Sequence, residues 1–288
     1  MRFGVHVGIA GKFAGTVAEA TAAGCECIQI FAGNPRAFKI GAYDAGSWDA
    51  FAAQRRANDI YPTVIHTSYL VNLATDNKTL RASSEKLVAN DLSVAASAGI
   101  EYVNTHLGSY GKQDRGVGLA RVCDAVARLI KSAKAGPMLL LENSAGAGSL
   151  CGGTMEELGE IVAAAKSKRV GVCLDTAHAW AAGYDLSTPA GVKTFLALVE
   201  KHIGLANVRA LHLNDTEVDL GGRRDRHWHV GKGRIGDRGF KAILRTKSLS
   251  HAAGICETPK TPELDRENLV TVRRLAGAKG PRRKSLKG

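Results

Sequence analysis

A single (β/α)8 TIM barrel is the fold this sequence predicts, and three observations carry the prediction. Eight short apolar runs rich in β-branched residues recur along the chain, amphipathic helical patterns separate most of them, and 288 residues suit one such barrel. The predicted strands span 3–9, 27–31, 63–68, 102–106, 138–142, 170–175, 208–213 and 254–257. Helical patterns run over 86–98, 119–133 and 155–165. Helix starts are marked at Thr154, with Glu157 three residues on, and at Thr188 followed by Pro189. The alternative, an open doubly wound sheet, lacks its glycine-rich fingerprint after the first strand. The barrel domain is expected over 1–276. A Gly-, Lys- and Arg-rich tail over 277–288 has little to bury and is expected to be disordered.

Composition narrows the function classes. With 45% hydrophobic residues the chain can bury a substantial core. No apolar run approaches the length of a membrane span, and the N-terminus enters a strand-like run at once. The expectation is therefore a cytoplasmic protein with no signal peptide and no membrane association. Six cysteines form no CxxC pair and fall mostly in apolar segments, which reads as reduced, buried thiols. The net charge is +12, and the tail carries five of those charges, leaving about +7 on the remainder. Such a balance favours a polyanionic partner.

In a barrel of this type the chemistry sits where strands run into the loops that follow them. His66 closes the third predicted strand, His106 the fourth, Glu142 the fifth, Asp175 the sixth (with His178 just beyond), His212 the seventh and Glu257 the eighth. The loop after strand seven adds Asp225 and His227, among Arg226, Lys232 and Arg234. A lone strand histidine is usually a hydrogen-bonded core residue. Six successive strand ends all delivering His, Asp or Glu is a different matter. Four carboxylates on one rim would repel one another and lose solvation, so a polycation is the physical solution. Five histidines and four carboxylates are enough ligands for two or three zinc-like ions with at least one bridging carboxylate. Three divalent ions against four carboxylates would leave about +2, which a phosphodiester and a hydroxide would neutralise.

The segments IHTSYLVNLA (65–74), LENSAGAG (141–148), DTAHAWAAGYD (175–185) and HLNDTEVDLGGRRDRHWHVGKGRIG (212–236) resemble the signatures of endonuclease IV, the zinc-dependent apurinic/apyrimidinic endonuclease family. The resemblance runs over roughly 3–275, with the motifs in family order. It implies three zinc ions per chain, with manganese admissible at one position. His66 and His106 would hold one ion, and Glu142 would bridge to a second that Asp175, His212 and Glu257 complete. His178, Asp225 and His227 would hold the third. His229 is expected not to be a ligand, and His6 to lie in the barrel interior. Leu107 stands where many relatives have proline, and Ala177 where cysteine is frequent; neither removes a ligand.

The activity implied is hydrolysis of DNA 5′ to an abasic site, leaving a 3′-hydroxyl, with Glu142 and Glu257 as catalytic carboxylates and the damaged nucleotide flipped out. Arg36, Tyr69, Leu70, Asn72, Arg226 and Lys232 are the expected DNA contacts, the first three filling the gap left in the base stack. The expected partner is double-stranded DNA containing abasic sites, met by a monomer near the nucleoid, or in the nucleus of a eukaryotic host. The competing reading is a metal-dependent sugar isomerase or epimerase on the same barrel.

Overall fold

The structure is a computed structural model that describes residues 1–8, 13–38, 45–133 and 136–281. Eight parallel strands close in chain order: β1 (Arg2–His6), β2 (Cys27–Phe31), β3 (Thr63–His66), β4 (Tyr102–Thr105), β5 (Met138–Glu142), β6 (Val170–Asp175), β7 (Val208–His212) and β8 (Ala253–Cys256). β8 pairs back onto β1 through Gly4 and Ile255, completing the barrel. Parallel strands are covered on both faces, which is why these runs are nearly all apolar instead of alternating. Gly4 shows how tight the wall is: a Cβ there would fall 1.7 Å from the Cys27 carbonyl oxygen.

The outer ring consists of α1 (Phe13–Ala23), α2 (Ala45–Ala57), α3 (Lys78–Ser97), α4 (Arg115–Ser132), α5 (Met155–Ala165), α6 (Thr176–Ala182), α7 (Pro189–His202), α8 (Gly236–Leu244) and α9 (Pro262–Ala276). Thr154 and Thr188 cap α5 and α7 through their side chains, as their sequence context predicts. Helix α3 begins eight residues before the predicted pattern. Asn77 caps it, and its first two turns are mostly polar, so the apolar period shows only where the helix packs. Strands β1, β3, β4 and β7 stop short of their predicted ends, and β8 stops one residue before Glu257, because the backbone leaves the ladder where it turns into the rim loops. Ile9 of the first predicted run lies outside the described residues.

Helix α9 closes on Gly277 in the left-handed conformation, with the Gly277 and Ala278 amides returning to Arg274 and Arg273 carbonyls. Positions 282–288 of the predicted tail lie outside the described residues. No described helix is long and apolar enough to cross a membrane.

Candidate metal centre

Strand ends β3 to β8 bring the predicted side chains to one point. Glu142, at the end of β5 and 1% exposed, stands in the middle. Its Oε2 lies 3.2 Å from His66 Nε2 and 3.7 Å from His106 Nε2. Its Oε1 lies 3.2 Å from His212 Nδ1 and 3.3 Å from His178 Nδ1. One carboxylate thus turns an oxygen to each of two sets of imidazoles. His212 Nδ1 is also 2.9 Å from Glu257 Oε2 and 3.7 Å from Asp175 Oδ2. On the far side, Asp225 Oδ1 sits 3.2 Å from both His178 Nε2 and His227 Nε2.

Among the described residues, groups able to hold a metal ion are His66–His106–Glu142, Glu142–Asp175–His212–Glu257 and Asp175–His178–His227, the ligand atoms within each lying within 4.8 Å of one another. The second group is the one the resemblance implies. In the third, Asp175 reaches the same two imidazoles as Asp225.

The ring nitrogens show what these groups are arranged to do. Each of four histidines has one nitrogen against an amide or peptide oxygen: His66 Nδ1 to Thr67 at 2.8 Å, His178 Nδ1 to Asn143 at 2.9 Å, His227 Nδ1 to Glu257 at 3.2 Å and His212 Nε2 to the Gln29 side chain at 2.9 Å. Such an oxygen only accepts, so that nitrogen carries the proton, and in the neutral ring the other presents a lone pair. The other nitrogen points into the cluster in every case. Nε2 of His178 and of His227 are buried without a hydrogen bond, although a carboxylate oxygen lies near. Inward nitrogens converging on carboxylates, those of His178 and His227 without a hydrogen bond, fit a cation between them.

Proton affinities follow the same layout. Burial alone would raise the Glu142 pKa, but the charges of His106 and His212 and hydrogen bonds from His178 and His212 hold it well below the ordinary range. Glu257 is likewise raised by burial and more strongly lowered by His212 and His6. Burial would lower His178, His212 and His227, yet their acidic neighbours push the first two well above the usual value and His227 to about 9. His106 is lowered, because desolvation prevails there. Without a metal, protonated imidazoles supply the positive charge that Glu142, Asp175 and Glu257 require.

The surrounding loops hold this arrangement. Asp215, wholly buried, accepts hydrogen bonds from the amides of Thr216, Gly233, Ile235 and Gly236 at 2.8–3.1 Å, capping α8 with a carboxylate from outside the helix. Its backbone pairs with Trp228, so both ends of the segment carrying Asp225 and His227 are tied to one residue. Gly233 is required there, since a Cβ would meet Thr216 O at 2.4 Å and Asp215 Oδ1 at 2.5 Å.

The loop after β3 leans on the loop after β2: Tyr69 N donates to Pro35 O at 3.1 Å, and Ser68 Oγ to the same oxygen at 2.8 Å. Tyr69 and Leu70 are 56% and 39% exposed, Arg36 is exposed beside them, and Tyr69 rests its edge on Phe31. Asn72 turns its Oδ1 inward, accepting from Ala74 N and Ser109 N and so fastening the β3 loop to the β4 loop. Arg226 lines a cleft of about 340 Å³ whose wall includes Tyr69 and seven of the nine candidate ligands. Lys232 pairs with Glu267 at the surface. His229 faces Asn268, away from the cluster, and His6 lies against Gln29 and Glu257 in the interior.

Three residues that sequence reasoning passed over complete the site. The buried amides of Gln29, Asn104 and Asn214 each donate to one carboxylate: Glu257 at 2.5 Å, Glu142 at 2.6 Å and Asp175 at 2.7 Å. A signal existed. Gln29 and Asn104 sit at even spacing from Phe31 and His106 in otherwise apolar runs, and an amide facing a barrel interior must find a partner.

Fold and site together define a (β/α)8 barrel with a His/carboxylate cluster, suited to divalent cations, at the strand ends where such barrels do their chemistry. Residues 17–275 match the family model described as "Xylose isomerase-like TIM barrel". A probable endonuclease 4 of Methanoculleus marisnigri is 42% identical, covering 96% of this chain and 99% of its own. The crystal structure of endonuclease IV from Thermus thermophilus superimposes with a TM-score of 0.87 at 38% identity, covering 96% of this chain and 99% of that one. The chain belongs to the endonuclease IV family. A D-psicose 3-epimerase structure, at 18% identity and TM-score 0.72 over 96% of this chain and all of its own, shares the fold alone.

Proposed function

We propose that this protein is a DNA-repair endonuclease that hydrolyses the phosphodiester 5′ to an abasic site and leaves a 3′-hydroxyl. The observation that carries the reading is the set of four imidazoles with one nitrogen tied to an amide or peptide oxygen and the other aimed at the clustered carboxylates. His66 and His106 would hold one zinc ion, Asp175, His212 and Glu257 a second shared through Glu142, and His178, Asp225 and His227 a third, manganese being admissible at one position. Bound there, divalent ions supply positive charge for a phosphodiester and acidify water into a nucleophile at neutral pH.

The chain's own residues do the rest. Glu257, 15% exposed in its side chain at the cleft wall, orients the attacking water, and Gln29 holds its other oxygen. Arg226 and Lys232 draw the DNA backbone toward the cleft. Tyr69 and Leu70 enter the base stack with Arg36, replacing the stacking lost when the abasic nucleotide swings into the cleft. Their exposure supports this over a role in capping the core. The barrel domain ends with the cap of α9, and the basic residues beyond it add non-specific affinity for DNA.

The test is incision of a duplex carrying one abasic site by purified protein, with elemental analysis of the same sample. Close to three divalent ions per chain are expected, with incision lost on chelation and restored by zinc. Incision that survives complete metal removal, or an active sample holding one ion or none, would overturn the reading.

A further inference from the structure

Gln29 touches both His212 and Glu257 from outside the cluster. It projects from the centre of β2, wholly buried, while its two partners belong to β7 and the end of β8. Its Oε1 lies 2.9 Å from His212 Nε2, and its Nε2 donates to Glu257 Oε1 at 2.5 Å and to His6 Nδ1 at 3.0 Å. The amide has one workable orientation. A carboxylate oxygen can only accept, so the NH2 must face Glu257, and the carbonyl oxygen must then face His212. His212 consequently keeps its proton on Nε2, and Nδ1 is the nitrogen turned to Glu142, Asp175 and Glu257.

We infer that Gln29 is a positioning residue for the metal group formed by Glu142, Asp175, His212 and Glu257. It selects the His212 tautomer that presents Nδ1 and leaves one Glu257 oxygen directed at the same point. The inference rests on the metal reading above and deepens it. An amide suits the task because it donates and accepts about 2 Å apart on one rigid plane. A carboxylate at position 29 would repel Glu257, and an apolar side chain would leave His212 free to rotate or change tautomer. Partners of this kind typically contribute 10–100-fold in metal affinity.

The experiment measures zinc affinity by competition with a chromophoric chelator, in wild type, Gln29→Met and Gln29→Glu, with melting temperatures of the metal-free proteins. Gln29→Met keeps the length and volume of the side chain without its polar atoms. It is expected to fold, to hold the ions outside this group as wild type does, and to release one ion about 10–100-fold more readily. Gln29→Glu should be at least as impaired, although it retains an acceptor for His212. Wild-type affinity for every ion in a folded Gln29→Met protein would overturn the inference and leave the metal reading intact. A wild-type protein that binds no ion in this assay would remove both. If Gln29→Met does not fold, zinc-loaded Gln29→Glu decides: unchanged affinity there also overturns the inference.

Discussion

Both ends of this barrel bury charge, and they do so in opposite ways. At the end where strands begin, arginines do the neutralising. Arg55, in α2, bonds to Glu101, Thr63 and the Gly99 carbonyl. Arg273 reaches Glu26, which precedes β2, and Arg2 pairs with Asp59 at 2.8 Å. Each guanidinium has donors enough for a carboxylate and a carbonyl together, so the charges are satisfied within the protein. At the end where strands finish, no arginine or lysine is paired with Glu142, Asp175 or Glu257 among the described residues; only imidazoles and amides are. An arginine would close the site permanently. Imidazoles can shed their protons and let a metal replace them. The first end is built to stay shut and the second to be filled.

The largest expected effect separates the two ends by removing one central charge from each. Glu142→Gln should keep the fold while incision falls roughly a thousandfold, about 4 kcal/mol, because a neutral amide is a poor bridge between cations. Arg55→Met should do the reverse, costing about 3 kcal/mol of stability by stranding Glu101, with incision per folded molecule unchanged. Chemical denaturation and single-turnover incision on the two variants make the comparison. If Glu142→Gln turns over normally, the central carboxylate is structural and the contrast between the ends collapses.

pH should discriminate next. Glu142 and Glu257 have depressed pKa values, so the metal-free protein gains stability from them above the usual carboxylate range near 4.5 and loses it as pH falls. His178, His212 and His227 have raised values. Their contribution is complete below about 6.5 and is lost as pH rises, for His227 through about 9. Chelated protein should therefore melt highest between about pH 5 and 6.5. Zinc affinity should move the opposite way, strengthening with pH as imidazoles give up protons to become ligands. Melting curves across pH with and without chelator check this; parallel profiles would mean that protons and metal do not compete.

The barrel and the clustering of nine candidate ligands were legible because both follow from short periods. A strand's last inward residue necessarily meets those of its neighbours, so His66, Glu142 and Asp175 could be placed on one rim without coordinates. What stayed hidden depends on contacts between distant strands. Gln29 meets partners 183 and 228 residues away, and nothing in the run CIQIF says which. Asn104 and Asn214 were equally silent about the carboxylate each would hold. Asp215 stood in view beside the site, but a carboxylate that collects four amides from its own loop looks in sequence like one more acid. The polar first half of α3 carries no apolar period, so only its capping asparagine could have announced it.

A moderate effect is expected from the exposed pair on the β3 loop. Tyr69→Ala with Leu70→Ala should weaken binding to an abasic duplex about 10–100-fold, the range for losing one or two stacking contacts. The melting temperature and metal content should stay within error, because both side chains are well exposed. A drop of several degrees with normal incision per folded molecule would instead make the pair part of the shut, structural half of the molecule.

The smallest effect concerns the basic residues after α9, and it tests whether charge at the closed end serves the open one. The chain leaves α9 through Gly277 and Ala278, which line a cavity with Met1, Phe3 and Arg245, at the end of the barrel opposite the metal cluster. Truncation after Ala276 would cut into the helix cap, so the informative variant ends at Gly280 and removes Arg282, Arg283, Lys284 and Lys287. Each cation that engages a phosphate changes the slope of log affinity against log salt by about 0.9. Removing four cations that neutralise phosphates should flatten the slope by at most about 3–4 units, with single-turnover incision at saturating protein unchanged. Fluorescence anisotropy with undamaged duplex at several salt concentrations reads the slope directly. An unchanged slope would make the arm idle. A fall in saturated incision would show that these cations act on the incision step and not on binding alone.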